Sequence, residues 1–421
     1  MFKLIKREFG LAKKLMAFST LCFIAQVVGA MLPLLIAKFF TEVEFGSFSL
    51  AKMIVFFAAT LTMGATQRPF IVYANEERAL TGKINKSFSV QLTLLFFGIL
   101  ASGATLLVFH NPIARFAGIG IGDLVFVFLA LAGFSGKFFF CNLLMALGER
   151  IQNGIAGLIY ACLNITIIIL FYVFGYLNLR TIFLSYFLSM ILLVLLRFKI
   201  LDLKLLAPFT IDRQHLRKTL NFAKWVFLGS TAAYFINWGD NLVLRIFVPL
   251  GEIGVYNFAY QLFKGLLFTT GIINQYFLPF IVTHITDHSK IRDYLFNKRP
   301  KIILLGVVVW IGVFFAVPLA IEFVYGGKYL SAVPVFQILS IALLFRLYIT
   351  FYNPLYNALE RYRFTTFATI VQITVNLLLA FALVPYYGIK GAAAATVCAY
   401  LCKLIIFEIY YQIFLRRTYR K

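Results

Sequence analysis

Polar positions along this chain come in short clusters, and the stretches between them are almost unbroken Phe, Leu, Ile, Val and Ala. A window of about 20 such residues is the length at which a helix crosses the hydrocarbon core of a bilayer. Twelve are predicted: 15–37, 47–67, 87–109, 122–147, 153–175, 178–197, 220–245, 254–282, 301–321, 331–357, 364–385 and 389–415. The polar break PFTIDRQHLRKT, 208–219, divides them six and six. The expected organisation is an N-terminal bundle at 1–207, a linker at 208–219 and a C-terminal bundle at 220–421.

The halves repeat. EFGSFSLA (44–51) and EIGVYNFA (252–259) each open the second helix of a half. LLMALGERIQNGIAGLIYACLNITIII (143–169) aligns with LYNALERYRFTTFATIVQITVNLLLAF (355–381), which sets Asn164 against Asn376. An even number of helices per repeat leaves both repeats in one orientation. Their pseudo-twofold should then run along the membrane normal, with a cavity between the bundles. The expected fold is an all-α polytopic membrane protein of about 12 transmembrane helices in two six-helix bundles.

Composition agrees. The 421 residues are 62% hydrophobic and 13% charged, against about 45–50% and 25% in soluble domains. The net charge of +23 would suggest nucleic acid in a soluble chain, but no nucleic-acid motif is present. The surplus follows the bias of Lys and Arg toward cytoplasmic loops. One alternate set of segments (1–14, 68–86, 148–153, 197–219, 283–301, 358–363 and 416–421) holds 27 Lys and Arg, whereas the other holds 6. The first set is predicted to be cytoplasmic, with both termini inside. The start, MFKLIKREFGLAKK, reads as a basic stretch on the membrane surface.

Candidate chemistry lies where charge enters the apolar runs. A cation at mid-bilayer costs roughly 2.5–3.5 kcal/mol. Lys137, Lys264, Arg346 and Lys403 are deep in predicted helices, Lys52 and Arg245 nearer their ends. Asp240 and Glu408 are the acids read as lying clearly within helices, and Asp240 could pair Arg245 or Lys264. An interior face with net positive charge selects an anion, with phosphate or pyrophosphate leading. Helical spacing puts Asn257, Tyr260 or Gln261, Lys264 and Gln275 on one stripe, and Arg346, Asn353 and Asn357 on another. Gln372 and Asn376 follow a third. These polar groups line a sugar-sized space or bond helix to helix. Asp240 and Glu408 are candidates for H+ or Na+ coupling. No catalytic, metal or ATP-binding constellation is found, and the five cysteines all fall within apolar segments.

Three stretches carry a resemblance: GDNLVLRIFVPLGEIGVYNFAYQLFKGLLFTTGIINQYFLPFI (239–281), NPLYNALERYRFTTFATIVQITVNLLLAFALVPYYGIKGAAAATVCAYL (353–401) and GAMLPLLIAKFFTEVEFGSFSLA (29–51). They resemble the Wzx-type polysaccharide and O-antigen flippases of the multidrug/oligosaccharidyl-lipid/polysaccharide exporter superfamily. The resemblance implies a non-enzymatic carrier of the bacterial inner membrane. It would move undecaprenyl-pyrophosphate-linked oligosaccharide (O-antigen, capsule or similar) to the periplasmic leaflet by alternating access, without a resident cofactor. A polysaccharide polymerase and chain-length machinery would be its partners, beside membrane lipids. A cation-coupled drug exporter of the same superfamily is the alternative. A membrane-embedded glycan polymerase or ligase would need an external catalytic loop, which the short outer segments do not offer.

Overall fold

The computed structural model describes the backbone of residues 2–285 and 287–415, and the side chains of 17–413 apart from 269, 272, 275, 279, 286 and 362. The C-terminal stretch 416–421 and the side chains of 1–14 and Gln275, all used above, lie outside the described residues. In chain order the helices are α1 (Phe2–Phe39), α2 (Glu42–Ala59), α3 (Gln67–Thr81), α4 (Asn85–Val108), α5 (His110–Ala117), α6 (Leu124–Ala146), α7 (Arg150–Val173), α8 (Leu179–Arg197), α9 (Leu203–Leu206), α10 (Arg213–Phe247), α11 (Leu250–Thr283), α12 (His288–Asp293), α13 (Arg299–Tyr325), α14 (Ala332–Ala358) and α15 (Tyr362–Tyr410). No strand occurs among the described residues.

Nine stretches among the described residues are long and apolar enough to cross a membrane. One of them, Arg363–Ile413, is 51 residues long, about two crossings. Within α15 the sequence predicts two spans, 364–385 and 389–415. The backbone turns at Gly388, whose φ of 54° and ψ of −136° are closed to a residue with a Cβ. The two expected spans are therefore two helices that meet at a kink. Helices α10 and α11 are not among the nine stretches. They carry the polar cluster described below. The exposed flank of α13 is Leu304, Leu305, Val308, Val309, Phe315 and Phe323. Such a face is stable only against lipid. The chain is a multi-pass, all-α membrane protein.

The described chain divides into two compact units. The first is Met1–Leu32 with Ser47–Tyr234, and it contains the expected linker 208–219. Within it α8 packs against α6 and α7. Gly133 of α6 permits the closest approach, because a Cβ there would collide with the backbone of Tyr186 and Phe187. The segment 68–86, expected as a cytoplasmic loop, is largely α3. Its Glu77 is an acid that the sequence reading did not place in a helix. It is buried, and its carboxylate accepts the N–H groups of Lys86 and Ser87, both at 2.8 Å. Those are orphan donors at the start of α4, so Glu77 caps that helix from α3. Beside it Asp212 pairs with Lys86 at 3.1 Å. The His215 N–H and the Lys86 ammonium hold the Asp212 carboxyl below its usual range.

The second unit is Pro33–Gly46 with Phe235–Lys421. Here α14 packs against α11, α13 and α15, through fully buried Val335, Phe336, Leu339, Tyr352 and Tyr356. The first turns of α2 and α11 meet backbone to backbone. A Cβ on Gly254 would overlap the Glu42 carbonyl oxygen, and one on Gly46 that of Leu250. These are the glycines of the two repeated motifs EFGSFSLA and EIGVYNFA. Small residues let helices approach closely where no hydrophobic force drives them together.

Candidate functional site: a buried carboxylate among cations

The most polar interior of the second unit is built on α10, α11 and the two arms of α15. Asp240 on α10 is 5% exposed. Its Oδ2 accepts the Tyr256 hydroxyl of α11 at 2.5 Å and the Thr396 hydroxyl of α15 at 3.0 Å. The anticipated partners were Arg245 and Lys264. The carboxylate instead takes neutral donors, and the Lys264 ammonium acts on it electrostatically. One residue on, Asn257 of α11 donates to Asn241 of α10 at 2.6 Å and to the Ile253 carbonyl at 2.9 Å. Asn257 is fully buried, so it ties two helices together and does not face open space. The Asn376 amide reaches the Thr396 hydroxyl at 3.5 Å. Asp240 Oδ1 and Asn376 Oδ1 are buried with no hydrogen-bond partner. A cavity of about 10 Å³, lined by Gln372, Asn376, Thr396 and Tyr400, opens beside them. That is room for one water-sized occupant.

The same unit holds three of the expected cations. Lys264 Nζ lies 4.6 Å from the Trp238 ring centroid and 4.7 Å from that of Tyr260. Tyr260 stacks on Tyr256 with 5.9 Å between centroids, and its hydroxyl donates to the Ile236 carbonyl at 3.4 Å. Lys403 is 6% exposed and donates to Thr369 at 2.9 Å. The Arg346 guanidinium acts electrostatically on both Lys403 and Tyr400. Neither Arg346 nor Lys403 has a carboxylate within ion-pair distance among the described residues. Ring faces contact Lys264 and a hydroxyl accepts from Lys403.

The remaining expected residues fall elsewhere. Glu408 belongs to a separate cluster. It accepts from Tyr352 and from Gln412, and lies 4.0 Å from Arg299. Arg299 is itself buried over the rings of Tyr348 and Tyr352. Arg245 is half-buried in the last turn of α10. Gln261, Asn353 and Asn357 are half-buried. In the first unit, Lys52 sits over the rings of Phe48 and Phe56, and Lys137 over those of Phe138 and Tyr160. The sequence reading missed Trp238, Asn241, Thr396 and Tyr400. Thr396, one hydroxyl in an Ala-rich run, was the available signal.

The model of the polysaccharide biosynthesis protein family matches residues 95–334. Among curated relatives, the probable low-salt glycan biosynthesis flippase Agl15 of Haloferax volcanii is 22% identical over 193 residues, 45% of this chain and 41% of that one. The probable flippase AglR of the same organism is 26% identical over 187 residues, 42% of this chain and 38% of that one. The chain thus spans about two fifths of the length of these relatives. The lipid II flippase MurJ in an inward closed conformation superposes with a TM-score of 0.78 at 16% identity, covering 96% of this chain and 89% of that one. An inward-facing multidrug resistance MATE family transporter of the MOP superfamily gives 0.67 at 15% identity, covering 94% and 93%. The fold is common to both of those transporters.

Proposed function

Because this chain belongs to the polysaccharide biosynthesis protein family, we propose that it is a flippase for lipid-linked oligosaccharide. Its substrate is an undecaprenyl-pyrophosphate-linked repeat unit of O-antigen, capsule or a similar glycan. The unit moves from the cytoplasmic to the periplasmic leaflet of the inner membrane by alternating access, and no bond is made or broken. The observation that carries the reading is that Lys264, Arg346 and Lys403 lie in one unit, with Lys264 beside the buried Asp240 and Arg346 close enough to Lys403 to act on its charge. A surplus of cations within apolar helices favours a di-anion such as pyrophosphate.

Asp240 is the coupling residue in this account. Unpartnered oxygens of Asp240 and Asn376 beside the Thr396 hydroxyl offer a proton or Na+ an all-oxygen setting. Filling it removes a negative charge from low dielectric and shifts the balance between conformations. Glu408, held by Tyr352, Gln412 and Arg299, is a structural acid. The polysaccharide polymerase and chain-length machinery would receive the product.

The likeness to multidrug transporters supports one other reading, cation-coupled export of a small drug. The two part in a cell lacking this protein. The flippase reading expects lipid-linked repeat units to accumulate in the inner leaflet and surface glycan to disappear, with drug tolerance unchanged. Normal surface glycan with loss of drug tolerance would overturn it.

A further inference from the structure

A second site stands apart from the polar cluster, where α11 ends and α13 begins. An open groove of about 550 Å³ runs there, lined by Tyr276, Phe277, Phe280, Lys298, Lys301 and Ile302. Its volume is that of a small-molecule site, but its makeup is divided. One wall is aromatic and the mouth carries two ammonium groups.

We propose that this groove binds an anionic phospholipid of the surrounding leaflet, with the phosphate between Lys298 and Lys301 and an acyl chain along Tyr276, Phe277 and Phe280. Lys298 is held at the mouth, 4.6 Å above the Phe280 ring and 3.4 Å from Asp293. Lys301 is exposed, and among the described residues no carboxylate lies within ion-pair distance of it. The segment 283–301 also carries Lys290 and Arg292, against Asp287 and Asp293, so its field favours an anion. Basic pockets between membrane helices take acidic headgroups in this way. Aromatic rings sit at headgroup level, where one end is apolar and the other wet.

The occupant comes from the bilayer rather than from the transport path. The most apolar window of the His288–Tyr325 stretch has no buried residue, and Tyr276 is 74% exposed. The groove is therefore on a lipid-facing side, and its role is independent of the glycan reading.

Native mass spectrometry of the purified full-length protein tests this, with phosphatidylglycerol, phosphatidylcholine, undecaprenyl phosphate and inorganic phosphate titrated in turn. One phosphatidylglycerol is expected to be retained, and phosphatidylcholine and inorganic phosphate are not. Lys298→Gln and Lys301→Gln should each weaken the adduct about five-fold, the equivalent of roughly 1 kcal/mol per basic residue. The Lys298→Arg/Lys301→Arg pair should keep it, which separates lost charge from lost folding. Equal phosphatidylglycerol retention by wild type and the double Gln variant overturns the proposal. So does equal retention of phosphatidylcholine, or binding of undecaprenyl phosphate alone.

Discussion

Asp240→Asn is expected to abolish gradient-driven glycan export while the protein still inserts at its normal level. Asparagine keeps the shape of the side chain and an oxygen that accepts from Tyr256 and Thr396, at 2.5 and 3.0 Å in the wild type. The contacts joining α10, α11 and α15 therefore survive. What disappears is the charge that a proton or Na+ neutralises. Coupling between two ligands of a transporter is worth about 1–3 kcal/mol, or up to roughly 150-fold, and the loss of export should approach that upper figure. Glu408→Gln is the control. It leaves the Asp240 cluster untouched and should cost stability more than coupling. The measurement is surface glycan, with and without an ion gradient, in cells lacking the native protein. Full gradient-driven export by Asp240→Asn would make the acid structural.

The second large effect is expected from the cations. Lys264→Gln, Arg346→Gln and Lys403→Gln should each reduce export about ten-fold or more, since a hydrogen bond to a charged group is worth roughly 1.5–3 kcal/mol. The triple variant should fall to background. Protein level should hold, because each substitution removes a charge that costs about 2.5–3.5 kcal/mol at mid-membrane. Arg346→Lys should be milder than Arg346→Gln, since it keeps the charge and loses only the planar fork. Lys137→Gln asks a separate question of the first unit. Impaired export means that unit shares the headgroup, and near-normal export means the second unit holds it alone. Wild-type export from the triple variant would show that cationic charge does not recognise the substrate.

Much of the fold is legible in the sequence, because membrane helices declare themselves by length. The long helices largely cover the twelve apolar windows but can run well past them: α1 starts at Phe2 and α10 at Arg213, inside the expected linker. At Gly388 a kink separates two helices, where the sequence places the boundary between its last two spans. At 67–81 a helix forms in a stretch too polar to read as a span. The candidate site was half legible. Depth singled out Asp240, Lys264, Arg346 and Lys403, because an ionisable residue in an apolar run is costly enough to need a reason. Period gave faces, and a face does not name a partner. Thus Asp240 meets the hydroxyls of Tyr256 and Thr396 where a salt bridge was expected, and Asn257 closes on Asn241. Thr396 lies 156 residues from Asp240, and only packing brings the two together.

The most direct test of the central claim is transbilayer movement in proteoliposomes. Purified protein is reconstituted with an undecaprenyl-pyrophosphate-linked oligosaccharide in the outer leaflet. The fraction shielded from an added glycosidase is then followed after an ion gradient is imposed. The account predicts gradient-dependent shielding well above protein-free vesicles, lost in both Asp240→Asn and the triple Gln variant. Shielding no faster than in protein-free vesicles, from protein that still moves a cationic drug, would contradict it.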